Sequence, residues 1–468
     1  MNDKMNARGR VPDFIPATIN NEDNLHPALV DGGCRFLLLL VFLILLQIIA
    51  PPSLRAMDLI EAYTLAKDHD PAFGSARYGL EASRTQSQQA RSFLLPQVQA
   101  TGSFSNYDFN SAPASYLDYT GQNMGVNLRQ PLFNIPKFYE YRQYNIRGTI
   151  GDVRFATAEQ DLMLRVAEAY FRGLAAVNLL ELIDSEKKAV AEQREQAREM
   201  FQAGVGTITD VHEAEARYDA VLSKEIEAAN NLDIKKRALM KIVGTDPGEL
   251  KALREDIPLS IPEPETLEGW IEKAKEHHPV LKSYVYQIEY QEAELRKNQG
   301  QHWPSVDLVA GYTMTNTSNL MKTQDINYST VGVQVNLPVF SGGYVSAKVK
   351  ESRAMLGQVK KEYEKSLSDI TEKLGEAFLG IRGSIAKRDA LRAAVRSAST
   401  ALHSNKMGMI AGVRTTTDIL NAQRELNDIQ VRLLQARYDY LINIVKLKSS
   451  SGTLAGDDLL AINQWLQK

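Results

Sequence analysis

The side chains of this sequence that first suggest chemistry are a pair of histidines and a pair of methionines. His277 and His278 precede Pro279, but no spaced carboxylate or third histidine completes a metal site, so we expect surface histidines. Met407 and Met409 could suggest copper handling, yet two methionines are more often packing residues. The motifs HExxH, GxSxG and GxxxxGK[ST] are absent, and there is no cysteine nucleophile after residue 34. We therefore predict no enzyme, no cofactor and no metal.

Composition excludes several other classes of protein. The chain has 468 residues, of which 44% are apolar, so it is not disordered throughout. A net charge of −3 gives no sign of a nucleic-acid partner. Cys34 is the single cysteine, which rules out a disulfide framework and a cysteine-based metal site.

An apolar run near the N-terminus predicts export. Phe36–Ala50 has the length of a signal-peptide core, follows Arg35, and leads to a small residue at Ala56. We expect residues 1–56 to be a signal peptide with an unusually long n-region before the core; an uncleaved anchor is the alternative. Cys34 precedes the run, so it is not a lipid-acceptor cysteine. The expected mature chain is exported and free of cysteine.

The remaining sequence contains two copies of one pattern. "AGVGTITD" at 203–210 returns as "AGVRTTTD" at 411–418, 208 positions later. "LLPQV" at 94–98 returns as "HWPSV" at 302–306, and "QPLF" at 130–133 returns as "LPVF" at 337–340. This spacing is much longer than that of solenoid repeats. We predict two halves of one fold, 57–265 and 266–468, joined by the Pro-rich segment 254–265.

Each half has the same predicted order of elements. A helix is followed by a hairpin, at 97–131 and 305–338, and then by long helices, at 134–243 and 343–450. A helix of sixty residues would reach roughly 100 Å, several times the diameter of a globular domain. A free coiled-coil rod is the simplest interpretation of such helices, but the intervening strands argue against it.

The predicted strands alternate apolar and polar residues over about ten positions, as in transmembrane β-strands. A hairpin on a soluble core is the alternative for any single strand. Four strands cannot close a barrel, and open edges are not tolerated in lipid, so two, three or four chains must combine. Tyrosines lie near the strand ends, as in interfacial girdles: Tyr107, Tyr116, Tyr119, Tyr312 and Tyr328. The apolar positions are Val98, Ala100, Phe104; Met124, Val126, Leu128; Val306, Leu308, Ala310, Tyr312, Met314; Val331, Val333, Val335 and Leu337.

The whole mature chain resembles the TolC family of outer-membrane channel-tunnel proteins. The most specific stretches are "FQAGVGTITDVHEAEARYD", "AGVRTTTDILNAQREL" and "ARYDYLINIVKLKSSSGTLAGDDLLAIN". The resemblance implies a membrane α+β fold in which a homotrimer forms a 12-stranded barrel, four strands per chain, that continues into a periplasmic helical tunnel. Residues 244–265 and 451–468 would form its equatorial segments. It also implies the outer membrane of a Gram-negative bacterium. The repeated phrase would then be the helical turn at the tunnel tip.

Residue types at the tips fit this interpretation. Gly204, Gly206 and Gly412 have the backbone freedom that a tight turn between helices needs, and Thr207 and Thr415 are suited to start the next helix. These five would also lie where the tips meet an adaptor.

The resemblance assigns further roles at the tips. It implies a gate in which Arg414 of the second tip links to Thr209 and Asp210 of the first tip of the same protomer, with Met409 where the family has an assisting tyrosine. It implies acidic rings at Asp418 and at the position of Asn421, where the charge is lost. The alternative for Asp210 and Asp418 is that they are first-turn acids favoured by the helix dipole.

The predicted function is a passive outer-membrane exit channel. Its implied partners are two further copies, a periplasmic adaptor, an inner-membrane ABC transporter or other pump, and outer-membrane lipid. The tip phrase and the absent lipid-acceptor cysteine favour type I protein secretion. The alternative within transport is efflux of small molecules, drugs or metals. An alternative of another class is a structural coiled-coil surface protein that transports nothing.

Overall fold

The computed structural model describes residues 56–108, 119–254, 256–319 and 323–467. Apart from Ala56, the expected signal peptide lies outside the described residues, as do Cys34 and Tyr116. The helices and strands, in chain order, are α1 (Leu59–His69), α2 (Pro71–Gln89), a short 3₁₀ turn (Ala90–Phe93), β1 (Gln97–Tyr107), β2 (Tyr119–Phe133), α3 (Ile135–Gln202), α4 (Ile208–Val243), α5 (Leu267–His277), α6 (Pro279–Gly300), β3 (Ser305–Asn319), β4 (Thr323–Asn336), α7 (Tyr344–Ile410), α8 (Thr416–Ser450) and α9 (Gly456–Asn463).

Two helices are exceptionally long. Helix α3 has 68 residues and α7 has 67, which at 1.5 Å per residue gives about 100 Å each. The start of α3 is defined by Asn134, whose side chain accepts a hydrogen bond from the Lys137 amide at 3.1 Å, and by Pro136 in the first turn. Across the described ranges, no helix has an apolar stretch of the length needed to cross a bilayer.

The four strands form one antiparallel sheet in the order β1-β2-β3-β4. Val126 pairs with Ala100 on β1 and with Tyr312 on β3, so the alternating apolar residues of neighbouring strands lie on one face. The described part of the chain leaves that face uncovered: Val98 is 65% exposed, Phe104 70% and Val333 61%. The expected four alternating strands with a shared apolar face are confirmed.

The opposite face of the sheet is polar and carries one buried acid. Arg129 of β2 donates to Asp307 of β3 at 2.6 Å, and the Asp307 side chain is only 2% exposed. The pair lies near the ends of the strands that continue into helices. A charge this buried needs its partner, so the contact helps to hold the register of β2 against β3.

The main hydrophobic core lies midway along the long helices, where the short helices α1, α5 and α9 surround them. Tyr170 and Phe171 of α3 pack there with Leu374 of α7 and Leu441 of α8, all nearly inaccessible to solvent. The Tyr170 hydroxyl donates to the Met57 carbonyl at 3.0 Å. This core therefore joins the start of the described chain to both halves of the fold.

A buried ion pair stands beside this core. Arg165 of α3 contacts both carboxylate oxygens of Asp70, at 2.6 and 3.2 Å, and Asp70 also accepts from the Phe73 amide at 2.7 Å. Asp70 is thus the N-cap of α2 and the anchor of α2 on α3. The hydrogen bonds from Arg165 lower the pKa of Asp70, which keeps it ionised.

Candidate functional site

Two helical tips, 203–207 between α3 and α4 and 411–415 between α7 and α8, form the candidate site. Gly204 and Gly412 have φ of +76° and +74°, a left-handed conformation that ends a helix and favours glycine. In the same turns, the amide of Val205 donates to the Met200 carbonyl at 3.0 Å, and that of Val413 donates to the Gly408 carbonyl at 2.9 Å. The two phrases of the sequence therefore build the same turn.

Gly206 has a different role from the one expected. Its φ is not positive; instead, a Cβ there would lie 3.1 Å from the Met200 Cβ and from the Phe201 amide nitrogen. Glycine at this position leaves room for the close packing of Met200 and Phe201, and its φ does not require the backbone freedom of glycine. At the matching place in the second tip, Arg414 occupies the position of Gly206 and Gly408 that of Met200.

Helices α4 and α8, which follow the two tips, begin with the same cap, in which a threonine and an acid three residues later exchange hydrogen bonds. Thr207 accepts from the Asp210 amide at 3.2 Å, while the Thr207 amide donates back to the Asp210 carboxylate at 3.1 Å. Thr415 and Asp418 repeat this arrangement, at 3.2 and 2.9 Å. These are capping boxes, so both acids do have the local role that the alternative interpretation gave them.

Arg414 is exposed and lies over its own tip. Its Nη1 is 4.0 Å from Asp418 Oδ1, and its stem passes so close to Gly408 that a Cβ there would be 2.6 Å from Arg414 Cγ. Hydrogen bonds from Thr415, and then the charge of Arg414, lower the pKa of Asp418. A carboxylate at this position therefore stays charged at neutral pH.

Other residues join the two tips within the chain. Thr417 of α8 donates a hydrogen bond to Glu213 of α4, and Leu420 of α8 packs with Val211 and Ala214 of α4. Glu213 and Thr417 were not predicted, because a single glutamate and a single threonine carry no spacing signal.

The expected gate link is absent within the single chain. Among the described residues, Arg414 contacts neither Thr209, which is exposed, nor Asp210. The link therefore stays a prediction for the assembled channel.

The two remaining predicted positions differ in their surroundings. Met409 is partly buried and packs against Leu402, Ile419 and Leu426, so it contributes to the contact between α7 and α8. Asn421 is exposed on α8, one turn beyond Asp418. Met409 thus fits the packing role expected of the two methionines, whereas Met407 is 52% exposed and does not.

The expectation of two surface histidines holds for His277, which is exposed, and is wrong for His278. The Nδ1 of His278 accepts from the Val280 amide at 3.2 Å, which makes His278 the N-cap of α6. Burial lowers the pKa of His278 to about 4, so its ring is neutral. Within the described ranges, no cluster of three or more His, Cys, Asp or Glu side chains is placed to hold a metal.

Comparison with known proteins identifies the family. The model of the family described as "Outer membrane efflux protein" matches residues 62–245 and again 270–453, with the same spacing of 208 residues as the repeated tip phrases. The chain belongs to the outer membrane efflux protein family.

Relatives of this efflux family agree with the assignment. The chain is 30% identical to outer membrane protein TolC of Vibrio cholerae, over 88% of this chain and 94% of that protein. It is also 30% identical to the alkaline protease secretion protein AprF of Pseudomonas aeruginosa, over 86% of each. The solved structure of the outer membrane protein VceC from Vibrio cholerae has a TM-score of 0.74 at 16% identity, covering 84% of this chain and 96% of that one.

Several expectations are thereby confirmed. The chain is an outer-membrane exit channel protein of the TolC and efflux family, with four strands and long tunnel helices in each copy. The family is one of transport proteins and not of enzymes.

Proposed function

We propose that the chain works as a homotrimer that serves as the passive outer-membrane duct of a type I secretion system. The observation that carries this proposal is the four-stranded sheet. It has one continuous apolar face and two edge strands, β1 and β4, that each pair on one side only in the described chain. Three such sheets would close a 12-stranded barrel, and three pairs of long hairpins would continue it as a tunnel.

Secretion is favoured over small-molecule efflux by the relatives. AprF, which matches along 86% of its own length, is by name a secretion protein for alkaline protease. Small-molecule efflux is the second candidate, because the family description itself is that of an efflux protein. In both cases the chain needs a periplasmic adaptor and an inner-membrane pump, since it has no nucleotide-binding motif of its own.

We assign the adaptor contact to the two tips. Apolar side chains at the tips are exposed to solvent: Val205 is 71% exposed, Val413 76% and Ile410 77%. Exposed apolar residues beside polar turns are typical of a protein contact. Gly204, Gly206, Thr207, Gly412 and Thr415 shape the turns that present them.

We also propose that the tips close the channel. Arg414 would link to Thr209 and Asp210 across tips in the assembled trimer, and Asp418 would provide an acidic ring in the pore, weakened by the neutral Asn421. The tips would open when adaptor contacts favour the open state.

Three measurements test the proposed function. Native mass spectrometry of the detergent-purified protein should give three copies, and bilayer recordings should show a small closed-state conductance. Expression of the chain should also restore protease export to a strain that lacks AprF. A monomer that conducts would refute the trimer. Restored drug resistance without restored protease export would favour efflux over secretion.

A further inference from the structure

A pocket of about 380 Å³ lies between α3, α4 and α8, well away from the tips. Its floor is apolar: Ala176 of α3 and Ile442 of α8 are buried there, and Val431 and Leu434 of α8 also line it. A cavity of this size, with an apolar floor and a few charged groups, is typical of a site for a small molecule.

Three helices each place one cation at this pocket: Arg172 of α3, Lys235 of α4 and Lys446 of α8. Among the described residues that line it, Asp439 is the single acid. Glu168, outside the lining, lies 3.5 Å from Arg172 and 3.3 Å from Lys446, whereas Lys235 makes no ion pair in the described part of the chain. Even when Glu168 is counted, the site keeps an excess of one positive charge.

The pocket opens on the side of the long helices that faces away from the short helices. Residues two positions apart on a helix point about 200° away from each other. Arg437 of α8 donates to the Arg254 carbonyl at 2.8 Å in the joining segment, and Asp439 lines the pocket. On α3, Tyr170 points into the main core and Arg172 lines the pocket. In the proposed tunnel this is the inner face, since the short helices on the other face would otherwise fill the lumen.

The internal repeat shows that the fold does not require these cations. The positions that match them in the other half, 208 residues away, are all uncharged: Gly380, Asn443 and Ala238. Both halves build the same arrangement of long helices, so a cation needed for folding is expected in both. The presence of the three cations in one place only favours a role in binding.

We propose that this pocket binds small organic anions that carry an apolar ring or chain, one to each chain. The apolar part lies against Val431 and Leu434, and the acid group accepts hydrogen bonds from Lys235 and Lys446, which as charged donors form strong contacts with an anion. The site lies within a single chain, so it goes beyond the proposed function and does not depend on the trimer. On the inner wall of the tunnel it contacts anions in transit.

A neighbouring pocket fixes the orientation of such a ligand. Toward the tips the groove continues into a second pocket of about 480 Å³, in which three acids, Glu186, Glu227 and Asp428, outnumber two cations. An acid group is repelled from that end. The anionic end of the ligand therefore lies near Lys446 and its apolar end points toward the tips.

Equilibrium dialysis of the full-length, detergent-purified protein tests the site. The probe is naphthalene-2-sulfonate, the matched cation is naphthalen-2-ylmethylammonium, and detergent without protein is the blank. We expect saturable binding of one sulfonate per chain, at least about tenfold tighter than binding of the ammonium, because the two probes differ only in the sign of the charge.

Single substitutions locate the bound probe. Lys235→Gln and Lys446→Gln should each weaken sulfonate binding about fivefold or more, and Asp439→Asn should tighten it, which a folding defect does not do. Lys236→Gln is the matched control, because it removes the same charge one position along α4 from a side chain that lines another pocket, and it should bind like the parent.

Equal binding of the two probes, or a loss in Lys236→Gln as large as that in Lys235→Gln, overturns the proposed site. A protein that is trimeric in native mass spectra and binds no sulfonate also overturns it and leaves the proposed function standing. A monomer that binds the sulfonate with the expected variant effects supports the site and refutes the trimer.

Discussion

Replacing Gly408 by alanine adds one methyl group at the second tip and changes no charge. Its carbon would lie 2.6 Å from Arg414 Cγ, about 1 Å closer than a favourable carbon–carbon contact. The Arg414 stem must then rotate away, and the guanidinium moves with it. In the first tip the matching contact is between Met200, at the position of Gly408, and Gly206, at the position of Arg414. In both tips, therefore, a glycine faces a larger side chain.

The effect on stability should be small. Alanine in a helix is favoured over glycine by about 0.5–1 kcal/mol. An unfavourable rotamer of Arg414 costs about 0.5–1.5 kcal/mol, which nearly cancels that gain. The proposed gate link, by contrast, is a charge-assisted contact that is worth about 1.5–3 kcal/mol in each copy. Losing three links, about 4.5–9 kcal/mol in total, would raise the open population about 10³- to 10⁶-fold, since each 1.4 kcal/mol is a factor of ten.

Single-channel recording in planar bilayers measures this change. Gly408→Ala should raise the closed-state conductance as Arg414→Ser does, with an unchanged melting temperature. Gly357→Ala is the matched control, because it lies in the same helix with nothing within 4 Å of the added carbon, and it should conduct like the parent. If Arg414→Ser opens the channel and Gly408→Ala does not, the positioning by Gly408 is refuted. If neither variant opens it, Arg414 does not hold the gate.

Three further predictions concern charge and pH. Arg165→Ala should lower the free energy of unfolding by about 3 kcal/mol, because it leaves the buried Asp70 unpaired. Since the pKa of Asp70 is lowered in the folded protein, the stability that this pair contributes is present above about pH 4 and is lost on further acidification. The parent should therefore lose more stability than the variant in thermal melts at acid pH. The pKa of His278 is about 4 in the folded protein against 6.5 in the unfolded chain. The free energy of unfolding should therefore fall by about 2 kcal/mol as the pH is lowered from 7 to 5, because the unfolded chain binds the proton more readily. His278→Asn keeps a capping side chain and should flatten that dependence in thermal melts, and an unchanged slope would contradict the assignment. Asp418→Asn should weaken block by divalent cations in bilayer recordings without raising the resting conductance, and a raised resting conductance would instead make Asp418 part of the gate.

Sequence reasoning succeeded where the signal is periodic or local. The alternation around Val126 and Val333 predicted four strands with one apolar face, because side chains of a strand alternate with a period of two whatever lies beside it. The threonines at 207 and 415 predicted helix starts, because a cap is completed within three residues. The prediction for Gly206 failed in its reason, since a close approach by Met200 is not visible from spacing alone.

The sequence by itself determined the duplication, the order of strands and helices, the two tip turns and the family. These follow from hydrogen bonds and periodicities that close within a few residues, or from a pattern that recurs at one spacing. Only the tertiary structure decided that Arg414 faces Asp418, that Thr417 meets Glu213, and that His278 is a partly buried cap. Glu213 and Thr417 are 204 positions apart. Their contact depends on how α4 packs against α8, and that packing is set by the summed burial of many apolar side chains, which no single residue spacing encodes.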